Sequence, residues 1–475
     1  MLRNVKNLFS NLKTASCECD ITIMSFKILS FMQRKETVLK ELRSFFIIWV
    51  GQVFSMIGSQ MTHFAMGIWA WDKTGQATPL ALVGFFSFAP LIIFTPIAGV
   101  LVDRWNRKLV MALSDIGAGM VTVTIFILLL TNRLEIWHLY ITGVVGGLFG
   151  AFQWPAYSAA ITLLVPKKHY ARTSGMISMA ESGVGILAPI LAGILLPIIN
   201  ITGIIVIDLV TLVIALLFLL MVSIPEPQRE PVDARRGAFF RELAYGFQYI
   251  LDRRSLLYLQ LVFFMGNFFS SIAFTLMNPM ILATTDGNSA ILGSVHSAGA
   301  LGGLVGGFIL TAWGGPAKKI HGVLIGWIAF GVFGGLLYGL GRSFPVWIAA
   351  SFLMMLFNPM LNGSNQAIWQ AKTAPEVQGR VFSVRRLVAQ ITAPISMAVA
   401  GPLADQVFEP AMATSNSWMG NLLGNIFGLG PGSGMSILIS VCGILIAFIG
   451  IGAYQIRPIR DVERLVPDHQ GKEQS

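Results

Sequence analysis

Four acidic residues interrupt or border long apolar stretches of the chain, and their side chains are the ones most able to do chemistry. Asp115, Glu181 and Asp208 lie within such stretches, and Asp72 lies at the edge of one. An acid inside a membrane-spanning segment costs about 2.5–3.5 kcal/mol on insertion scales, so its presence favours a functional role. We expect Glu181 first, and Asp208 second, to bind a proton or recognise a cation. The alternative for Glu181 is a structural hydrogen bond to a neighbouring helix.

Other kinds of site receive less support from the sequence. His63, in the first apolar stretch, is a further candidate for proton coupling or substrate binding, because imidazole titrates near neutral pH. The three cysteines lack the spacing of a metal site. The segment GLGPGSG (428–434) lacks the Gly-Lys-Ser/Thr ending of a phosphate-binding loop. No nucleophile elbow or pair of catalytic carboxylates is found, so the sequence predicts no enzyme activity, no metal and no cofactor.

The composition is that of a chain that spends most of its length in lipid. Of its 475 residues, 55% are hydrophobic and only 12% are charged, whereas a soluble domain carries about 25% charged residues. Its 49 glycines and 21 prolines are tolerable in membrane helices, where small residues allow close packing and neighbouring helices satisfy freed backbone groups. These features predict an all-α membrane protein with many spans.

Twelve segments are long and apolar enough to be membrane helices, since a span needs about 20 mainly apolar residues. A long polar segment at 224–254 divides them six and six, and within it FFRELAYGFQYIL (239–251) is predicted to be an amphipathic helix on the membrane surface. The predicted spans are 45–70, 79–102, 109–130, 137–164, 173–198, 202–223, 255–283, 290–313, 320–340, 344–371, 381–407 and 435–455. The resulting domains are an N-terminal extension (1–43), a six-helix bundle (44–223), a linker (224–254), a second six-helix bundle (255–456) and a tail (457–475).

Lysine and arginine are distributed asymmetrically between the two sides of these spans. Of the 33, 27 lie on one side and three (Lys73, Arg133 and Arg342) on the other, with the remainder in the N-terminal extension. Because cytoplasmic loops are rich in these residues, both termini and the linker are predicted to be cytoplasmic. The net charge of +10 therefore fits a lipid bilayer as partner, and it predicts no nucleic-acid partner, because the charges are spread along the loops.

The two halves show weak internal similarity to each other. PAYSAAITLLVPKKHYARTSG (155–175) in the first half corresponds to PMLNGSNQAIWQAKTAPEVQGR (359–380) in the second. Each copy begins near a proline, has a second proline at a predicted inner loop, and continues to a basic residue. A repeat of six plus six helices is typical of transporters that rock one half against the other around a central site.

A loop between the second and third predicted spans carries a family signature. GVLVDRWNRK (99–108) resembles the inner-loop signature of the major facilitator superfamily. PEVQGRVFSV (375–384) and the long loop at 409–434 are similar to the branch that contains macrolide-efflux proteins and the enterobactin exporter. The resemblance extends over residues 40–460 and implies two pseudo-symmetric six-helix bundles.

A second motif, GVGILAPILAG (183–193), resembles the fifth-helix signature of the antiporter branch of that superfamily. The chain has Ala188 and Ala192 where the pattern prefers glycine. The residues that carry the antiporter-type motif are Gly185, Ala188, Pro189 and Gly193.

The resemblance implies that the acid of the inner-loop signature belongs to a latch that holds the two halves together when the protein faces outward. We expect Asp103 to act in this way with Arg380 of the second half, and the two arginines of the signature to be tied to Asp115. The alternative for the bases is anchoring alone, because positive charges in inner loops orient a chain without any gating role. The predicted latch residues are Asp103, Arg104, Arg107, Lys108, Asp115 and Arg380.

These inferences lead to one principal functional expectation and two alternatives. The chain is expected to be a secondary active transporter that exports a hydrophobic or amphiphilic small molecule (a drug, antibiotic or secreted metabolite) by proton antiport with alternating access. It is expected to act as a monomer in the bacterial inner (plasma) membrane. The alternatives are a siderophore exporter or lipid flippase on the same fold, and a non-transporting membrane scaffold or sensor.

Overall fold

The computed structural model describes residues 41–225, 238–415 and 417–467, and within these ranges the side chains at 100, 103, 104, 167, 171, 238–243, 375 and 376 are not described. All regular secondary structure in these residues is helical. The helices are α1 (Glu41–Thr74), α2 (Ala77–Arg104), α3 (Arg107–Leu130), α4 (Ile136–Leu164), α5 (Tyr170–Met221), α6 (Ala238–Leu251), α7 (Arg254–Thr284), α8 (Ser289–Trp313), α9 (Lys319–Leu340), α10 (Phe344–Lys372), α11 (Pro375–Gln390), α12 (Thr392–Leu403), α13 (Glu409–Met412), α14 (Trp418–Phe427), α15 (Ser433–Gln455), α16 (Arg457–Arg460) and α17 (Val462–Leu465).

Long apolar helices make up most of this part of the chain. Ten helices in the described ranges are long and apolar enough to cross a membrane. One of them, within α5, has 50 residues and bends at Asn200, whose φ of 55° lies in the left-handed region that asparagine tolerates better than most residues. The all-α membrane fold expected from the sequence is confirmed. The count of twelve spans stays a prediction, because it requires α5 to be divided at this bend and the 29-residue α4 to be added.

One face of α3 shows how these helices meet lipid. Leu109, Leu113, Ile116 and Met120 recur at intervals of three or four residues and are between 44% and 57% exposed. A soluble protein rarely exposes a continuous apolar face of this kind. The opposite side of α3 contains Asp115, which is 5% exposed, so polar groups face the protein and apolar groups face the bilayer.

Small residues let the helices approach closely within each half. A Cβ placed on Gly143 of α4 would lie 2.8 Å from Ser87 Oγ of α2. In the second half, a Cβ on Gly302 of α8 would collide with the backbone carbonyl of Phe352 in α10. Membrane helices lack a hydrophobic driving force for association and depend on such close van der Waals packing, which accounts for the high glycine content.

The two halves meet at one end of the bundle, here called the Gln76 end, where α2 and α8 begin, α5 bends, and α12 ends. There a Cβ on Gly401 of α12 would lie 2.5 Å from the Cα of Thr78, and one on Gly84 would lie 3.2 Å from the sulfur of Met397. The large core of the second half also includes Ala77 of α2. The opposite end, where α3 and α5 begin, is here called the Arg107 end.

The amphipathic helix expected at 239–251 is present as α6, and it packs against protein at the Arg107 end of the second half. A Cβ on Gly246 would lie 2.6 Å from the carbonyl oxygen of Arg380 in α11. The hydroxyl of Tyr249 donates to the carbonyl of Lys372 at 3.1 Å, and the Lys372 ammonium donates to the carbonyl of Glu463 at 2.6 Å. The linker helix and the tail therefore brace this end; the position of α6 relative to the bilayer stays a prediction.

Candidate functional site

Asp115 links three helices of the first half through amide hydrogen bonds. Its two carboxylate oxygens accept from Gln153 Nε2 of α4 at 2.8 Å and from Gln52 Nε2 of α1 at 3.2 Å. Gln153 Nε2 also donates to Gln52 Oε1 at 3.1 Å. This buried network satisfies the acid without a positive charge, so its arrangement is that of a structural group joining α1, α3 and α4.

The predicted pairing of Arg107 with Asp115 is wrong. The two residues are eight positions apart on α3, about 12 Å along the helix axis. Arg107 instead donates from Nη1 to the carbonyl of Ala159 in α4 at 2.9 Å. Lys108 donates to the carbonyls of Leu220 and Val222 at 2.9 and 2.7 Å, which places a cation at the C-terminus of α5, where the helix dipole favours it.

The remaining part of the predicted latch is only partly described. The side chains of Asp103 and Arg104 lie outside the described residues, although the backbone of both belongs to the end of α2. The Arg380 guanidinium lies 5.6 Å from the ring centroid of Tyr245 in α6. The Asp103–Arg380 pairing therefore stays a prediction, and the linker helix lies against its expected basic partner.

Asp208 forms a second buried carboxylate network in the first half. Asp208 is 4% exposed. Its carboxylate accepts hydrogen bonds from Ser59 Oγ of α1 at 3.0 Å and from Thr122 Oγ1 of α3 at 3.3 Å. His63 lies within electrostatic reach of this acid but on the exposed side of α1. Asp208 therefore joins α1, α3 and α5 much as Asp115 joins its three helices.

Glu181 has a different environment from the two buried acids. Its side chain is exposed and lies within electrostatic reach of Tyr157 in α4. A Cβ on Gly175, Gly183 or Gly185 of the same helix would meet no other atom within 4 Å. This part of α5 therefore borders open space toward the Arg107 end, where a carboxylate is reachable.

Two residues of the antiporter-type motif, Pro189 and Gly193, lie at the contact between α5 and α8, here called the α5–α8 seam. A Cβ on Gly293 of α8 would lie 2.5 Å from the carbonyl oxygen of Pro189, and one on Gly193 would lie 3.0 Å from that of Ser289. Ala188 is fully buried. Pro189 and Gly193 thus lie where the two halves touch. Ala188 instead packs in a core of the first half with Met61 and Ala65 of α1, and a Cβ on Gly185 would meet no other atom within 4 Å.

A polar and aromatic group lies at the junction of α1, α7 and α8. His296 Nε2 is 2.7 Å from Asn278 Oδ1, and the His296 ring meets Phe64 edge-on with centroids 6.0 Å apart. His296 is nevertheless exposed. The His296 ring therefore contacts a helix of each half, α1 and α7, and still remains exposed.

The sequence reasoning missed two acids, Asp405 and Glu409, at the Gln76 end. Asp405 accepts hydrogen bonds from the backbone N–H groups of Ala77 and Thr78 across the two halves, and Glu409 accepts from Gly432 and Met435 within the second half. Both border a cavity of about 420 Å³. The available signal was the position of Asp405 inside the predicted span 381–407.

These features define a class of protein: an all-helical, multi-pass membrane protein whose two halves touch at one end and enclose polar groups between them. In the described residues, no three His, Cys, Asp or Glu side chains are grouped as metal ligands. Residues 48–397 match the family model of the Major Facilitator Superfamily. The chain belongs to the Major Facilitator Superfamily, which confirms the resemblance carried by GVLVDRWNRK.

Curated relatives include proteins named macrolide efflux protein A. The chain is 28% identical over 369 residues to macrolide efflux protein A of Streptococcus pyogenes, covering 76% of this chain and 90% of that protein. It is also 28% identical over 329 residues to macrolide efflux protein A of Enterococcus faecalis, covering 68% of this chain and all of that protein. The likeness extends over nearly the whole length of both relatives.

Solved structures with the same fold are more distant in sequence. A bacterial homologue of the human lysosomal transporter Spinster superimposes with a TM-score of 0.60 at 16% identity, covering 87% of this chain and 97% of that one. A bacterial homologue of the iron transporter ferroportin gives 0.61 at 14% identity, covering 86% and 98%. These likenesses support the fold alone.

Proposed function

We propose that this chain exports a hydrophobic or amphiphilic small molecule by proton antiport with alternating access. The observation that carries the proposal is the difference along α5. At the Gln76 end Pro189 and Gly193 are in close contact with α8, whereas Gly175, Gly183 and Gly185 face open space. Two halves that are joined at one end and separated at the other form a cavity with a single opening, which is one of the two states that alternating access requires.

The relatives and the cavity residues support the substrate class. Two relatives carry the name macrolide efflux protein A, so a large amphiphilic antibiotic is the first substrate to test. Phe64 and His296 offer an aromatic surface beside a polar one, and mostly apolar pockets with few polar groups suit such ligands. A siderophore or a lipid is the second candidate on the same fold.

Glu181 is proposed as the group that couples proton movement to export. It is the predicted acid that lies on the open side of α5, whereas Asp115 and Asp208 are held in buried hydrogen-bond networks. A coupling group must exchange protons with water in at least one state, so accessibility favours Glu181. Asp208 and His63 are second choices. A rearrangement of α1 would be needed to expose Asp208, and His63 lies beside that acid.

The remaining parts of the proposal concern orientation and assembly. The Arg107 end is proposed to face the cytoplasm of a bacterium, because 27 of the 33 lysines and arginines lie on that side of the spans. The chain is proposed to act as a monomer with bundles at 44–223 and 255–456. Asp103 and Arg380 are proposed to form the latch that closes the cytoplasmic end.

The proposal is tested by transport in everted membrane vesicles. Vesicles containing the chain should accumulate a radiolabelled macrolide when a proton gradient is imposed, and a protonophore should abolish the accumulation. Glu181→Gln should reduce gradient-driven uptake at least about tenfold, since it removes the exchangeable proton. Asp252→Asn, which changes an exposed carboxylate in the loop before α7, is the control and should leave uptake unchanged.

Each contrary outcome of this assay has a defined meaning. Undiminished gradient-driven uptake by Glu181→Gln would reject Glu181 as the coupling group. Uptake that ignores the gradient would reject proton antiport. Accumulation of a fluorescent lipid or a siderophore in place of the macrolide would favour the second candidate substrate class.

A further inference from the structure

A carboxylate of the second half caps a helix of the first half at the Gln76 end. Asp405 Oδ1 accepts from the Ala77 N–H at 3.0 Å, and Oδ2 accepts from the Thr78 N–H at 2.7 Å and the Thr78 hydroxyl at 2.5 Å. The first N–H groups of a helix have no partner within the helix. The residue that precedes α2, Gln76, provides no side-chain cap. Asp405, 328 positions from Ala77, takes the place of a local cap.

The position of Asp405 in the chain makes this contact possible. It lies in a π-helical turn, Ala404–Phe408, between α12 and α13. Such turns are uncommon and often occur at functional sites, because the extra residue redirects the side chains that follow it. One turn earlier in the chain, Gly401 lets the backbone of α12 approach Thr78. The two helices are therefore close enough for a short carboxylate to reach the end of α2.

The electrostatics of the contact favour it as a link between the two halves. A helix N-terminus carries a partial positive charge that favours a carboxylate. Hydrogen bonds to an ionised acceptor are also about twice as strong as neutral ones. All three hydrogen bonds are lost if α2 and α12 separate, because Asp405 and its partners Ala77 and Thr78 belong to different halves.

Glu409 provides a built-in comparison on the same segment. Its carboxylate accepts from the N–H groups of Gly432 and Met435 at 3.1 and 2.8 Å, at the start of α15. This cap has the same chemistry as that of Asp405, and both acids border the same cavity. Its two partners, however, belong to the second half, so it cannot join the halves.

We propose that Asp405, through its cap on α2, is the residue that holds the Gln76 end closed, and that breaking this cap permits the end to open. The proposal rests on the alternating-access function proposed above. It assigns to the end opposite the Asp103 latch a second gate, formed by an acid of one half and a helix end of the other.

Distances between spin labels test the proposal directly. Labels are attached at Lys73→Cys at the end of α1 and Asn425→Cys in α14, both exposed, in a chain whose Cys17, Cys19 and Cys442 are replaced by alanine. The parent should give mainly the short distance of a closed Gln76 end. Asp405→Ala should add or enlarge a population at longer distance, and Asp405→Asn should do so to a smaller extent, because its amide oxygen retains one acceptor.

The control variant and the contrary outcomes separate gating from general damage. Glu409→Gln should keep the parent distance, since its cap lies within one half. An unchanged distribution in Asp405→Ala, or an equal shift in Glu409→Gln, would overturn the proposal. The measurement is made in lipid nanodiscs without substrate or gradient. Its outcome therefore does not depend on whether the protein transports macrolides.

Discussion

At the scale of single residues, the acids in the apolar stretches divide by their neighbours. Asp115 and Asp208 are buried and accept hydrogen bonds from helices of their own half. Glu181 is exposed on the open side of α5. Asp405 reaches across to the other half. The same carboxylate chemistry joins helices at Asp115 and Asp208, and it is proposed to exchange protons at Glu181 and to close a gate at Asp405.

The structural role of Asp115 predicts a specific pattern of stability. Asp115→Ala leaves Gln52 Nε2 without its acceptor and removes one of the two acceptors of Gln153 Nε2, so the variant should lose about 1–3 kcal/mol of stability. Asp115→Asn should lose much less, because the two glutamine amides can rotate to donate to it and accept from it. Thermal unfolding in detergent, followed by circular dichroism, measures both variants.

Two comparisons make the Asp115 prediction specific. Asp252→Ala, at an exposed loop position, should leave the unfolding temperature unchanged. Equal destabilisation by Asp115→Ala and Asp115→Asn would indicate that the charge of Asp115, rather than its acceptor oxygens, stabilises the fold.

At the scale of elements, α5 and α8 are in contact near the Gln76 end and diverge away from it. Gly293 and Gly193 bring the two backbones together, and Ser297 Oγ donates across the contact to the carbonyl of Ile186 at 3.1 Å. Phe308, further along the same face of α8, is 75% exposed. Pro189 and Gly193 of the antiporter-type motif are therefore part of a packing surface between the halves.

The α5–α8 seam predicts a strong effect of side-chain size at Gly293. Gly293→Val should separate the helices and destabilise the protein by about 1–3 kcal/mol, because the new side chain collides with the carbonyl of Pro189. Gly307→Val, on the same helix with open space beside it, is the matched control. Unfolding temperatures and macrolide uptake should both fall for the first variant and remain near the parent values for the second.

Equal effects of Gly293→Val and Gly307→Val would contradict this prediction. Both valines carry the same cost in helix propensity, so equal losses at the two positions would mean that the seam contributes nothing beyond the helices themselves.

At the scale of the whole molecule, the two halves are in contact at the Gln76 end, and the proposed cavity opens at the Arg107 end. The closed end combines the α5–α8 seam with the Asp405 cap on α2. The α6 helix and the tail brace the second half at the open end through Lys372 and Glu463. The arrangement corresponds to one state of the proposed alternating-access cycle.

Labelling by a thiol reagent tests both the proposed opening at the Arg107 end and the side of the membrane that this end faces. In the chain with its three native cysteines replaced, Gly183→Cys should react rapidly with a membrane-impermeant maleimide in everted vesicles, since this position borders open space. Ala188→Cys, fully buried on the same helix, should react at least about tenfold more slowly, since exposure of the thiol limits its reaction. Faster labelling of Gly183→Cys in right-side-out vesicles would reverse the orientation inferred from the basic residues.

Much of the fold followed from local properties of the chain. The lengths of the apolar runs determined the helices, because a bilayer core requires about 20 residues per span, and GVLVDRWNRK indicated the superfamily. The bounds of α3, α8 and α15 agree with the predicted spans to within about two residues, as expected where helix ends are read from sequence. Class, family and helix positions depend on residues that are close in sequence.

The partners of the charged side chains were decided only by the tertiary structure. The sequence suggested Arg107 for Asp115, but the packing of α1 and α4 against α3 supplies Gln52 and Gln153 instead. It gave no indication that Asp405 would cap α2, because that contact joins positions more than 300 residues apart. A hydrogen bond depends on distances of a few tenths of an ångström between helices, and apolar run lengths and charge counts contain no information about such distances.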